Sequence, residues 1–211
     1  MVTTARQQLL SLLARKSFRL GKFKLSSGAT SDYYIDCRTT TLDAEGARLT
    51  GRVVLDEIYR QGWEPQAIGG LTLGADPIVV AVSVLSAQQA QTRRPRPDTS
   101  PGPADTRIIN GFLVRKVQKD HGTAQRIEGY KEKGAKVVIV DDVCTTGAST
   151  VQAIEAARQF GFEVIGVVCL VEREEALGRA NVEKAASPAA FFSIFTAADV
   201  REEHLRQKQA E

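Results

Sequence analysis

The chain has 211 residues, 43% of them hydrophobic and 25% charged, with a net charge of +3. That length suits one domain with a substantial core, and the small charge excess gives no ground for a nucleic-acid partner. No run approaches the eighteen apolar residues of a membrane span, and the N-terminus lacks a signal-peptide core, so no membrane partner is expected. The cysteines, Cys37, Cys144 and Cys169, are odd in number and widely spaced. They form neither a disulfide framework nor a zinc pattern, and a reducing, cytoplasmic setting is the simplest expectation.

A first helix is predicted over Thr4 to Lys16, with Leu9, Leu10, Leu12 and Leu13 as its apolar face. A Gly/Ser-punctuated segment follows, Gly21 to Thr30. Asp43 caps a second predicted helix to about Arg60. Ala67 to Gly70 reads as a short strand before the loop Gly70-Leu71-Thr72-Leu73-Gly74. Pro77 suits the first turn of a helix that continues through Val84. From Gln88 to Asp105 the chain is polar and carries four of its seven prolines, which reads as a solvated insertion. Strands are then expected over Ile108–Val114, Lys136–Val140 and Val164–Val171, with Gly134 and Gly161 marking the turns into the last two. Strands alternating with helices predict an α/β fold whose mostly parallel sheet is flanked by helices, with ligands at the carboxyl ends of the strands.

Two segments carry chemistry. The run Val137-Val138-Ile139-Val140-Asp141-Asp142-Val143-Cys144-Thr145-Thr146-Gly147-Ala148-Ser149-Thr150 joins a buried strand, a carboxylate pair and a hydroxyl-rich loop. A helical pattern begins immediately after it, at Val151, Ile154 and Ala157. Backbone N–H groups at such a helix start can cradle a phosphate, and the two carboxylates can accept hydrogen bonds from sugar hydroxyls. The second segment, Val114-Arg115-Lys116-Val117-Gln118-Lys119-Asp120-His121-Gly122, brings three fixed cations and a histidine within seven residues. It suits a leaving group that gains negative charge, through the Arg fork, the Lys point charges and a proton or hydrogen bond from His121. No aromatic residue interleaves these cations, so base stacking is poorly served.

The first run resembles the phosphoribosyl pyrophosphate (PRPP) motif of type I phosphoribosyltransferases. Arg115-Lys116-x-x-Lys119-Asp120-His121-Gly122 is similar to the mobile catalytic loop of the orotate phosphoribosyltransferases. Phe23 to Asp36 and Leu170-Val171-Glu172-Arg173-Glu174 are similar to that family's orotate-binding segments, and Phe192 to Thr196 to its C-terminal strand. The resemblance implies a type I phosphoribosyltransferase fold in a single domain, 1–211, with a small hood from residues 1–40 and about 172–211. It also implies a Mg²⁺-dependent transfer from PRPP to orotate, giving orotidine 5'-monophosphate and pyrophosphate, the sugar becoming oxocarbenium-like.

By the same resemblance, Lys119, His121, Asp141 and Asp142 are the catalytic residues. PRPP would be held by these four with Arg115, Lys116, the loop Leu71, Thr72, Leu73 and Gly74, and the loop Thr145, Thr146, Gly147, Ala148 and Ser149. Tyr34, Thr145 and Arg173 would meet orotate. Mg²⁺ would be carried mainly on PRPP, with no firm protein ligand. A homodimer with shared sites is implied, its mobile loop reaching across the two-fold axis. Two positions depart from some members, which carry Lys where this chain has Ser26 and Leu73. The PRPP motif does not choose the base, so a purine or uracil transferase is the alternative enzyme. A PRPP-sensing regulator that binds nucleic acid is the alternative outside enzymes.

Overall fold

The computed structural model describes residues 3–24, 30–92, 107–116 and 126–210. Helix α1 (Ala5–Lys16) opens on a capping box, in which the Thr4 hydroxyl accepts from Gln7 N–H and the Gln7 side chain accepts from Thr4 N–H. Next comes an antiparallel ribbon of β1 (Phe18–Lys24) and β2 (Thr30–Ile35), where Phe18 faces Ile35 and Lys24 faces Thr30. The Gly/Ser pattern concealed these strands; residues 25–29, including Ser26, lie outside the described residues. A single turn, α2 (Arg38–Thr41), leads into α3 (Ala44–Arg60), capped by the Asp43 carboxylate on Gly46 N–H as expected.

The main sheet contains β3 (Ala67–Leu71), β4 (Asn110–Val114), β5 (Ile127–Gly129), β6 (Lys136–Cys144), β7 (Glu163–Glu172) and β8 (Ala190–Thr196). Their order is β5-β4-β3-β6-β7-β8, parallel except for β5 at one edge. Four further helices complete the chain: α4 (Asp76–Thr92), α5 (Ala148–Phe160), α6 (Gly178–Ala186) and α7 (Ala197–Ala210). Helix α4 runs beyond Val84 to Thr92, so Gln88 to Thr92 belong to the helix and not to the predicted insertion. No proline lies between Pro77 and Pro95, so the helical hydrogen bonds continue through those polar residues. Residues 93–106 lie outside the described residues.

The alternation of β6 builds two cores. Val138 and Val140 pack with α1, α3 and α4 on one face, through Leu9, Leu49 and Ile78. Val137 and Ile139 pack with α5 and α6 on the other, through Ile154 and Val182. Both faces are covered, so the strand reads as an unbroken apolar run. The expectation that it ends at Val140 is corrected. Asp141 pairs with Cys169 and Val143 with Val171, so β7 holds the carboxylates inside the ladder. Sequence hydrophobicity stops at Val140, whereas the hydrogen bonding does not. Gly134 and Gly161 both take left-handed conformations, at φ 79° and 104°, which makes them the turns that feed β6 and β7.

Candidate active site

Three strand ends converge on one cleft. It has a volume of about 320 Å³ and is walled by Leu71 to Gly74 after β3, by Asp141, Asp142, Thr145 and Ser149 around the end of β6, and by Arg173 after β7. The ribbon contributes Tyr34 from β2, and Lys116 closes the side next to β4. The topology thus gathers most of the described site residues that the sequence singles out.

The carboxylates differ in surroundings. Asp141 is only 5% exposed and accepts from the Thr150 hydroxyl at 2.6 Å and from Asp142 N–H at 3.0 Å. Burial pushes its carboxyl above the ordinary range, an effect that the Thr150 bond opposes. Burial also raises Asp142, countered by Val143 N–H at 2.9 Å and by the positive charge of Arg38. A Cβ on Gly74 would stand 2.3 Å from Asp142 Oδ1, so only glycine lets the 71–74 loop approach this carboxylate.

Gly147 has φ 75° and caps α5 without any side-chain hydrogen bond. The N–H groups of the first turn are therefore open to an anion. In the 71–74 loop, Thr72 N–H is already given to Val114 O at 3.0 Å. Leu71 belongs to the β3 ladder, so Leu73 and Gly74 carry the N–H groups left beyond it.

Arg173 is nearly buried. Its Nε donates to Tyr33 Oη at 3.0 Å and to Glu175 Oε1 at 2.9 Å, and Nη2 donates to Glu175 Oε1 at 2.7 Å and Ser31 Oγ at 3.2 Å. The guanidinium also stacks on the Tyr33 ring, 4.5 Å from its centre. Burial and the adjoining Glu175 push the Tyr33 hydroxyl up to about 12. Glu175 would be raised by burial, but bonds from Tyr33 and Arg173 hold it below the usual range.

Other expected residues stand apart from this cleft. Arg115 lies 3.6 Å from Glu128 and does not line it. The antiparallel edge strand β5 supplies that glutamate, and a sequence pattern gives no register for it. Thr146 and Ala148 face a separate hollow beside α6, and Gly147 packs under Val182 and Gly178. Lys119 and His121 lie outside the described residues. Asp36 and Arg38 were missed by the sequence reading and both line the cleft. Their signal was the Asp-x-Arg spacing directly after Tyr34-Ile35. Among the described residues, no group of three His, Cys, Asp or Glu side chains could hold a metal, and no helix is long and apolar enough to cross a membrane.

Residues 108–186 match the phosphoribosyl transferase domain. An orotate phosphoribosyltransferase of Aquifex aeolicus is 38% identical over 198 residues, which cover 92% of this chain and 97% of the relative. The chain belongs to the orotate phosphoribosyltransferase family. It is accordingly a pentosyltransferase of pyrimidine biosynthesis, which transfers the phosphoribosyl group of PRPP to orotate. The orotate phosphoribosyltransferase of Mycobacterium tuberculosis H37Rv, solved with Fe(III) dicitrate, has 34% identity and a TM-score of 0.72, over 93% of this chain and 99% of that one. The same enzyme, solved with PRPP, gives 31% and 0.68 over the same shares. An adenine phosphoribosyl transferase of Trypanosoma brucei, 12% identical with a TM-score of 0.62, shares the fold alone.

Proposed function

We propose that the cleft is the PRPP and orotate site and that its residues divide the work as follows. The 5'-phosphate lies at the start of α5, against the open N–H groups and the side chains of Thr145 and Ser149. Asp141 and Asp142 accept from the ribose hydroxyls, and their charge stabilises the oxocarbenium-like sugar. The diphosphate lies against the 71–74 loop and Lys116, with Arg115, Lys119 and His121 supplied by the catalytic loop. Arg173 pairs with the carboxylate of orotate, and Tyr34 packs on the ring. As the bond from C1 to the diphosphate oxygen breaks, its electron pair stays on the diphosphate. A ring nitrogen of orotate then bonds to C1, and the proton it gives up passes to the released diphosphate. The observation that carries this reading is the convergence of Asp141, Asp142, the 71–74 loop, Thr145, Tyr34 and Arg173 on one cleft.

Mg²⁺ fits this arrangement as a cation carried on PRPP. The cleft offers Asp36, Asp141 and Asp142, but Asp36 is engaged by Arg38 and Asp141 by Thr150, so no protein cage is preformed. Bound there, Mg²⁺ would supply neutralisation of the leaving diphosphate.

We also assign a homodimer. Pro77, Val80 and Val84 of α4 join Leu42 and Leu73 around an apolar groove of about 880 Å³, and Leu42 and Leu73 are 72% and 67% exposed. A continuous apolar face of this kind suits a second copy, which would bring its catalytic loop to the neighbouring site. A monomeric preparation with full turnover would overturn site sharing. The three buried free thiols agree with a cytoplasmic location.

The decisive assay follows orotate consumption at its ultraviolet band with PRPP and Mg²⁺, beside Lys119→Ala. Turnover that needs all three components and collapses in the variant is expected. PRPP binding without orotate turnover would move the assignment to another base or to a regulator.

A further inference from the structure

Arg38 is unused by the roles above, although it lines the cleft. Its guanidinium is held flat by Asp36, Nε to Oδ1 at 2.8 Å and Nη2 to Oδ2 at 2.9 Å. Asp36 Oδ1 also accepts from Arg38 N–H at 3.1 Å, so the carboxylate grips both ends of the residue. This grip fixes the fork without burying it, since the Arg38 side chain stays 46% exposed. Among the described residues, its third nitrogen, Nη1, has no hydrogen-bond acceptor.

The position matters for charge. Arg38 lines the cleft together with Leu71, Thr72, Leu73 and Gly74, and it lines the apolar groove together with Leu73. Its charge is felt by Asp142, whose carboxylate touches the Gly74 approach. The loop itself brings no cation: Leu71, Thr72, Leu73 and Gly74 are all uncharged. The cleft wall is also rich in carboxylates, with Asp36, Asp141 and Asp142 against Arg38, Lys116 and Arg173. Arg173 is committed to Glu175 and Tyr33. A diphosphate carrying several negative charges at this end therefore has two described cations to meet, Lys116 and Arg38.

We propose that Arg38 is a diphosphate-contacting residue, its Asp36-clamped guanidinium supplying through Nη1 the positive charge that the neutral 71–74 loop lacks. A planar fork locked before the substrate arrives loses little rotamer entropy on binding. The charge sits on the leaving group, so the contact strengthens as electrons collect on the diphosphate. The Asp36–Arg38 pair alone is a local ion pair on a partly exposed turn, and such pairs contribute little to stability. A stability role therefore leaves the open Nη1 and its placement beside the loop unexplained. The inference rests on the placement of PRPP in this cleft.

The test compares the wild-type dimer with Arg38→Ala, Arg38→Lys and the double variant Arg38→Ala/Leu73→Lys. KM for PRPP and for orotate is measured forward, and KM for pyrophosphate in reverse, with a melting curve for each protein. Arg38→Ala is expected to raise KM for PRPP and pyrophosphate at least tenfold while orotate KM stays within twofold. Arg38→Lys falls between. Leu73 lines the cleft together with Arg38, so Lys there should recover at least threefold of the lost PRPP affinity. A merely structural Arg38 predicts no such recovery, together with equal rises for both substrates and a lower melting temperature. That pattern, or unchanged PRPP and pyrophosphate KM in Arg38→Ala, overturns the inference. Loss of the site assignment itself would read differently, as a wild-type protein that does not bind PRPP.

Discussion

Replacing Thr150 by Val tests whether Asp141 works as an ionised carboxylate. The side chains are nearly isosteric, and Thr150 is 1% exposed, so the fold should persist while the 2.6 Å bond to Asp141 Oδ2 disappears. A hydrogen bond to a charged acceptor contributes about 1.5–3 kcal/mol. At about 1.4 kcal/mol per pKa unit, its loss lifts Asp141 by roughly one to two units. Burial already holds this carboxyl above its ordinary 3.8, so the variant needs a higher pH to ionise it. The acid limb of kcat/KM for PRPP should therefore move up by about one to two pH units, while the alkaline plateau drops less.

Stability carries the same sign. A carboxyl whose folded pKa is raised binds its proton more tightly in the folded state, so its effect on stability is most favourable below 3.8. Stability is lost as pH climbs from there through the folded pKa. Removing the Thr150 bond lengthens that climb, so the melting deficit of Thr150→Val should be larger at pH 8 than at pH 5. An unmoved acid limb with a constant melting deficit would refute the reasoning, because the bond would then not favour the charged form.

Two further outcomes follow from the same geometry. Glu175→Gln removes the carboxylate that engages Arg173 at 2.7 Å, so the substrate carboxylate meets a freer guanidinium. KM for orotate should fall about two- to fivefold with PRPP KM unchanged, and isothermal titration with orotate checks the same change without turnover. Gly69→Ala would set a Cβ 2.5 Å from three carbons of the buried Phe112 ring. Overpacking of this kind costs about 1–3 kcal/mol, or roughly 2–12 °C of Tm for a domain of this size. A melting curve that matches wild type would show that the β3–β4 packing yields more readily than the contact implies.

What the sequence determined by itself is what local chemistry can encode. The apolar runs at Val137–Val140 and Val164–Val171, the Asp43 cap, the turns at Gly134 and Gly161, and the Asp-Asp-x-x-Thr-Thr-Gly loop all depend on residues a few positions apart. Those features placed the strands, the start of α5 and the family. The β1–β2 ribbon, the antiparallel edge strand β5 and the extension of β6 through Asp141 and Asp142 depend on hydrogen bonds to distant partners, which no local pattern contains. The same limit applies at the site. Only the tertiary fold brings Tyr34, Leu73, Asp142 and Arg173 to one cleft, and only packing decides that Thr72 N–H is spent on Val114 while Arg115 turns toward Glu128. Arg38 shows the difference most directly. In sequence it is one charge among 28 Lys and Arg residues, and its place beside an uncharged loop exists only once the segment after β2 and the loop after β3 line one cleft.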